Sequence, residues 1–207
     1  MRAALTPSDR VAVLVVDIQC KYTDPTSNLR LDNADEFVER VAAFVDRSRD
    51  LGVRIIWVNR RSRPQVGPGR RTLKLFGDGL PSFQNELMDR QDVRLVQQSE
   101  DVLIEKRRHS AFYETDLEST LRNWGVETVV LAGVTSNVCV AATAFDAVAR
   151  DLDVVIAEDL TASLPVISSG EQVMTAHQVQ DATMHLLGYA IGDVASHEEL
   201  LGLWASS

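Results

Sequence analysis

Asp17, Lys106 and Cys139 are the reactive residues whose placement along this chain points to chemistry, because each follows an apolar run of strand length. Arg10-Val11-Ala12-Val13-Leu14-Val15-Val16 leads into Asp17, and Asp101-Val102-Leu103-Ile104-Glu105 leads into Lys106. Thr128-Val129-Val130-Leu131-Ala132 leads into the turn Gly133-Val134-Thr135-Ser136-Asn137-Val138-Cys139-Val140. Continuous apolar runs mark strands buried on both faces of a parallel sheet. The carboxyl ends of such strands form the crevice where open α/β sheets bind ligands. A carboxylate, an ammonium and a thiol meeting there suit nucleophilic acyl transfer. The carboxylate can take the thiol proton and return it to a leaving amine. The ammonium keeps the carboxylate ionised and favours thiolate. A helix N-terminus at the thiol would lower its pKa further. Backbone amides around Cys139 can receive an oxyanion, worth roughly 3 to 4 kcal/mol per donor. Taken singly the three residues are ordinary: strands end on charge where solvent begins, and a cysteine between valines packs as a small hydrophobe.

The elements that must hold these residues alternate strand and helix. Asn33 to Leu51 has helical spacing (Phe37, Val41, Phe44, Val45, Leu51), with Asn33 as N-cap and Gly52 at the stop. Val53 to Asn59 reads as the second strand. Thr115 caps a helix from Asp116 to Trp124, with Glu118 placed for a capping box and Gly125 at its end. A helix from Val138 to Arg150 packs through Ala141, Ala142, Ala144, Phe145 and Val148. Asp153 to Ala157 is the next strand, ending at Glu158-Asp159. Glu171 to Leu187 reads as the last long helix and Tyr189 to Ile191 as a short edge strand. This rhythm is that of βαβ units in an α/β fold, here one domain over residues 1–207. It breaks between Arg60 and Ser99. There Arg60, Arg61, Arg63, Pro64, Gly67, Pro68, Gly69, Arg70 and Arg71 form a basic loop, either a rim over the site or a solvated insertion. A short helix fits near Phe83 to Met88.

Composition narrows the function classes. A chain of 207 residues with 45% hydrophobic and 25% charged residues has the make-up of a soluble globular protein. No apolar stretch reaches the roughly 18 to 20 residues of a membrane span. The start Met1-Arg2-Ala3-Ala4-Leu5-Thr6-Pro7 lacks the apolar core of a signal peptide. Two cysteines in that context point to a reducing compartment, so a cytoplasmic location is expected. A net charge of −9 argues against nucleic acid and anionic membranes as partners and leaves a small-molecule substrate.

Three segments carry a family resemblance. Asp17-Ile18-Gln19, with Tyr22 behind it, resembles the D-x-Q motif and trailing aromatic of the isochorismatase-like cysteine hydrolases. Lys106-Arg107-Arg108-His109-Ser110-Ala111-Phe112 resembles their K-x-R-x-S-A-F segment, and Gly133 to Val140 resembles their G-V-x-T/S-N-x-C-V nucleophile turn. The motifs stand in the family order over about residues 10–195, with 60–99 poorly matched. The resemblance implies a three-layer αβα fold around a six-stranded, mostly parallel sheet. It implies a catalytic triad on Asp17, Lys106 and Cys139, and an oxyanion hole from the backbone amides of Thr135 and Cys139. It also implies a non-prolyl cis peptide between Val134 and Thr135, and a homodimer or homotetramer.

Departures from the family pattern sort the chemistry. Nicotinamidases carry a D-x-H metal motif after the second strand, where this chain has Val58-Asn59-Arg60-Arg61-Ser62. The histidines are His109, His177, His185 and His197, all elsewhere, so neither metal nor cofactor is expected. True isochorismatases replace the nucleophilic cysteine with glycine. Keeping Cys139 favours hydrolysis of a small amide, carbamoyl or ureido compound through a thioester, with Asp17 also activating the water. The alternatives are vinyl-ether hydrolysis of isochorismate, with Asp17 as acid, and a non-catalytic ligand-binding module. Candidate substrate contacts are Tyr22 and Phe112 as pocket walls, Asn137 beside the nucleophile, and Arg60 and Arg107 toward a carboxylate. Core packing, turn stabilisation and a solvated rim are the respective structural roles these residues would otherwise fill. His109 is assigned a structural role because Asp17 supplies the base. Cys20 reads as a buried apolar side chain, and Glu158 and Asp159 as a capping or solvated pair.

Overall fold

Burial on both faces makes the central strands. The computed structural model describes residues 7–61 and 86–206. Its main sheet contains Val11–Val16 (β1), Arg54–Arg60 (β2), Val102–Lys106 (β3), Thr128–Val134 (β4), Asp153–Ala162 (β5) and, after an antiparallel hairpin of Val166–Ser168 (β6) and Glu171–Met174 (β7), Asp193–Ala195 (β8). The order is β3-β2-β1-β4-β5-β8, and every pairing is parallel. All residues of β1 and β4 are buried, so these strands have no solvent face to alternate toward.

Helices cover both sides. The chain forms Cys20–Thr23 (α1), Ala34–Asp50 (α2), Leu117–Asn123 (α3), Ala141–Val148 (α4), Ala176–Ala190 (α5) and His197–Ala205 (α6). Val11, Val13 and Val15 share one cluster with Phe37, Val41, Phe44 and Val45 of α2 and Trp204 of α6. Ala12, Leu14 and Val16 share the other with Leu117 and Leu121 of α3, Ala144 and Ala147 of α4, and Leu187 of α5. Three layers result, each buried valine or leucine of β1 contributing about 1.5–3 kcal/mol. Among the described residues no helix is long and apolar enough to cross a membrane.

Several elements differ from the sequence-based expectation. β5 does not end at Glu158-Asp159 but runs on to Ala162, continuing to pair with β4 past a register shift. Glu171 opens a hairpin strand rather than a helix, because Ser169 and Gly170 both take positive φ (54° and 85°) and reverse the chain. α5 starts after the capping box of Thr175 and Gln178 and carries Tyr189 within it; the edge strand follows as β8. α6 was not anticipated, although Ser196 and Glu199 form a capping box ahead of Leu200, Leu201, Leu203 and Trp204. In α3 the N-cap is Asp116, and Glu118 turns outward to Arg122 and Arg150 (2.7 and 2.8 Å) instead of closing a box with Thr115. Asn33 holds the N-cap position of α2 without a side-chain capping bond. Most of the basic loop, from Ser62 to Arg71, and residues 83–85 of the short helix expected near Phe83 to Met88 lie outside the described residues, while Glu86 to Met88 form a turn.

β1 and β4 approach closely at their carboxyl ends. Val16 pairs with Gly133, whose φ is +121°, and a Cβ built there would stand 2.0 Å from the Val16 carbonyl oxygen. Gly133→Ala is therefore expected to destabilise the fold by about 3 kcal/mol or more, since backbone cannot yield as a side chain does. Urea unfolding measures it; a midpoint equal to wild type would show that the strands do not meet this tightly.

Candidate active site

The sheet order reverses between β1 and β4, the switch point at which open α/β sheets place ligands. Asp17 is the first residue beyond β1. Its φ is +53°, a left-handed conformation aspartate tolerates better than most residues. Its amide donates to the Val58 carbonyl (2.7 Å) and its carbonyl accepts from Gln19 (2.8 Å), which keeps it at the strand end. Lys106 ends β3, paired in register with Arg60 of β2, and reaches across that strand end. Its Nζ donates to Asp17 Oδ2 at 2.7 Å and to the Arg108 carbonyl at 3.1 Å. Both side chains are sealed from solvent, Lys106 at 0% exposure and Asp17 at 1%. Burial works to lower the Lys106 pKa, but the adjoining Asp17 carboxylate and Cys139 outweigh it and hold the ammonium above its ordinary range. Asp17 Oδ1 is buried with no hydrogen-bond partner.

Cys139 lies in a π-helical turn, Ser136–Val140, that joins β4 to α4; the Val134–Thr135 peptide before it is cis. The Thr135 carbonyl accepts from the amides of Val138 and Val140. Ser136 donates to Gln180 Oε1, which also accepts from Ser163 (3.2 Å). Gln180 Nε2 in turn donates to Thr161 Oγ1 (2.9 Å) and to the Glu158 carbonyl (3.1 Å). Thus α5 and the extended end of β5 clamp the turn. On its other side, Thr143 Oγ1 donates to the Cys139 carbonyl (2.8 Å) and accepts from the Ala111 amide (3.1 Å), which ties the Lys106–Phe112 segment to the cysteine turn. Sequence reasoning missed Gln180 and Thr143. Gln180 did leave a signal, a polar residue in helical step with Met184 and Leu187 of the apolar face.

The Cys139 thiol is 4% exposed. Burial, reinforced by the Asp17 carboxylate and opposed by Lys106, pushes its pKa up to about 11. This overturns the expectation of a lowered value: desolvation outweighs the nearby ammonium, and the resting group is a neutral thiol. His109 Nδ1 stands 3.8 Å from Cys139 Sγ, so this residue belongs to the site rather than to the framework alone.

A second buried lysine, Lys21, was also missed. It pairs with Asp89 (3.3 Å; side chains 0% and 4% exposed). Burial lowers its pKa, with Asp17 and Asp89 opposing. Gln19 bridges the neighbouring segments: its Nε2 donates to the carbonyls of Arg60 (2.9 Å) and Asp89, and its Oε1 accepts from the Arg60 amide (3.2 Å). Arg60 is buried, and its charge bears on Lys21, Lys106, His109 and Cys139. Tyr22 is buried beside the same group; burial, Cys139 and Asp17 keep its hydroxyl protonated.

Other sequence candidates fall differently. Arg107 is exposed beyond β3. Phe112 is a buried residue of the core cluster that also contains Cys139, with the Arg150 guanidinium 4.7 Å from its ring. Asn137 is exposed on the Ser136–Val140 turn. Cys20 is half-buried rather than buried, since it opens α1 beside the returning segment at Arg90. Asp159 accepts from the His197 amide (3.0 Å) and meets its Nδ1 (2.5 Å) at the start of α6, the capping role expected of it.

Comparison with known proteins extends this picture. The Isochorismatase domain family model matches residues 11–191. A ureidoacrylate amidohydrolase (RutB) of Methylorubrum extorquens is 30% identical over 186 residues, covering 79% of this chain and 75% of that protein. A cysteine hydrolase from Pseudomonas syringae pv. phaseolicola 1448A superposes with a TM-score of 0.88 at 26% identity, covering 97% of this chain and 95% of the other. An N-carbamoylsarcosine amidase from Thermoplasma acidophilum shares the fold (TM-score 0.71, 23% identity, 91% of this chain and 97% of that one). The family match runs through every strand that carries a residue of the cluster, and the chain belongs to the isochorismatase domain family.

Proposed function

We propose that this protein is a cysteine-dependent hydrolase of a small amide, carbamoyl or ureido compound, with Asp17, Lys106 and Cys139 as its catalytic residues. One observation carries the reading: a buried carboxylate, held through Oδ2 by Lys106 and left open at Oδ1, beside a buried thiol on the adjoining strand end. An acceptor in that state takes the thiol proton as Sγ adds to a carbonyl carbon, so thiolate need not exist before substrate arrives. The proton then passes from Asp17 to the departing nitrogen, which leaves as ammonia or an amine. Water cleaves the thioester that remains. The backbone amides of Thr135 and Cys139 serve as the oxyanion hole, and Arg60 and Lys106 add positive potential there. Tyr22 and Asn137 line the substrate space, and Arg60 suits a carboxylate carried by the substrate. The similarity to a ureidoacrylate amidohydrolase supports a ureido or carbamoyl substrate.

The test is ammonia release at neutral pH, with a chelator present, from a panel of small amides, N-carbamoyl amino acids and ureido acids. Release from at least one ureido or carbamoyl compound is expected. Silence across the panel, together with pyruvate formation from isochorismate, would overturn the proposal in favour of vinyl-ether hydrolysis.

A further inference from the structure

We propose that His109 is the general base of the second half-reaction, taking a proton from the water that cleaves the Cys139 thioester and then protonating the departing sulfur. This rests on the thioester reading above. The two candidate bases differ in their access to solvent. Asp17 is 1% exposed and tied to Lys106, whereas His109 is exposed and its Nδ1 is 3.8 Å from Sγ. An acyl carbon bonded to Sγ therefore lies within reach of a water that enters past the imidazole, and catalytic hydrogen bonds are commonly long before substrate binds.

The surroundings keep that imidazole in its basic form. It is faced by Arg60 at the end of β2, Lys106 at the end of β3, Arg108 on its own segment, Asp17 beyond β1 and Cys139 in the nucleophile turn. Partial desolvation of the ring against the site and the cations Arg60 and Lys106 lower its pKa, although one edge of the residue stays open to solvent; Asp17 opposes them without prevailing. The step balances. The water oxygen bonds to the acyl carbon while one of its protons moves to His109 Nδ1. The C–S bond then breaks with its electron pair on sulfur, and the imidazolium returns the proton across the same contact. The product carboxylic acid loses its remaining proton to solvent. A thiol with a raised pKa accepts the returned proton readily.

The probe is 4-nitrophenyl acetate, whose phenolate leaves without needing a proton, so that acylation and deacylation separate. Wild type is expected to give a burst of about one nitrophenolate per Cys139 and then a linear phase. His109→Gln is expected to keep the burst while its linear phase falls about 10²-fold, with an acetyl group persisting on Cys139 by intact mass. The wild-type linear phase should also fall as pH drops through a value below the ordinary histidine range, and this limb should be missing in His109→Gln. A linear phase in His109→Gln equal to wild type, or loss of the burst along with it, would overturn the assignment. An undiminished burst in Cys139→Ala would defeat the thioester reading itself, whatever His109 does.

Discussion

Cys139→Ala is expected to lower turnover at least about 10⁴-fold, the scale on which removal of a covalent nucleophile is felt, while the protein stays folded at neutral pH. The reason is the protonation state. Cys139 rests as a neutral thiol, so its loss removes no charge from the Lys106–Asp17 pair and leaves only a small cavity in a packed wall. Paired turnover and thermal-unfolding measurements check this; an alanine variant with wild-type turnover would remove the cysteine from the mechanism. The raised pKa adds a signed pH effect. A folded-state thiol near 11, against an ordinary value of 9, favours the folded state below pH 9, and that contribution is lost as pH rises through 11. Wild type should therefore lose stability relative to Cys139→Ala between pH 9 and 11, by on the order of 3 kcal/mol. Iodoacetamide should label the free enzyme slowly at neutral pH and faster toward pH 11.

Lys106→Met is expected to damage stability and activity together. Its ammonium is the partner of a carboxylate 1% exposed, and removing one member of a buried pair typically costs about 3–5 kcal/mol. The same change strikes the chemistry, because the Asp17 carboxylate loses the ammonium that holds it in place through Oδ2 to accept the thiol proton. Turnover should fall by at least about 10²-fold. The double variant Asp17→Asn/Lys106→Met separates the two effects. It should regain part of the lost stability, since no buried charge is left alone, but none of the lost activity. Urea unfolding of wild type, Lys106→Met, Asp17→Asn and the double variant gives the coupling energy. Simple additivity would mean that the pair is not coupled as its 2.7 Å contact implies.

Much of this site was legible along the chain because parallel strands buried on both faces leave unbroken apolar runs, and the residue that ends each run marks a sheet edge. Val11–Val16 before Asp17 and Thr128–Val134 before the cysteine turn are of this kind. The hairpin at Ser169-Gly170 and α6 behind Ser196 and Glu199 were also written locally, in a turn dipeptide and a capping box. Other features exist only through contacts distant in sequence. That Lys106 meets Asp17 follows from β3 and β1 flanking β2 in the sheet, and that Gln180 holds Ser136 follows from α5 docking on β5. Residue types and spacing determined the cast of the site: an aspartate, a lysine and a cysteine at strand ends. Packing alone set their electrostatic states. It buried the thiol deeply enough to reverse the expected direction of its pKa, placed Lys21 and Arg60 nearby, and turned His109 from framework into a neighbour of the sulfur. Desolvation depends on every atom around a group, and no linear motif records it.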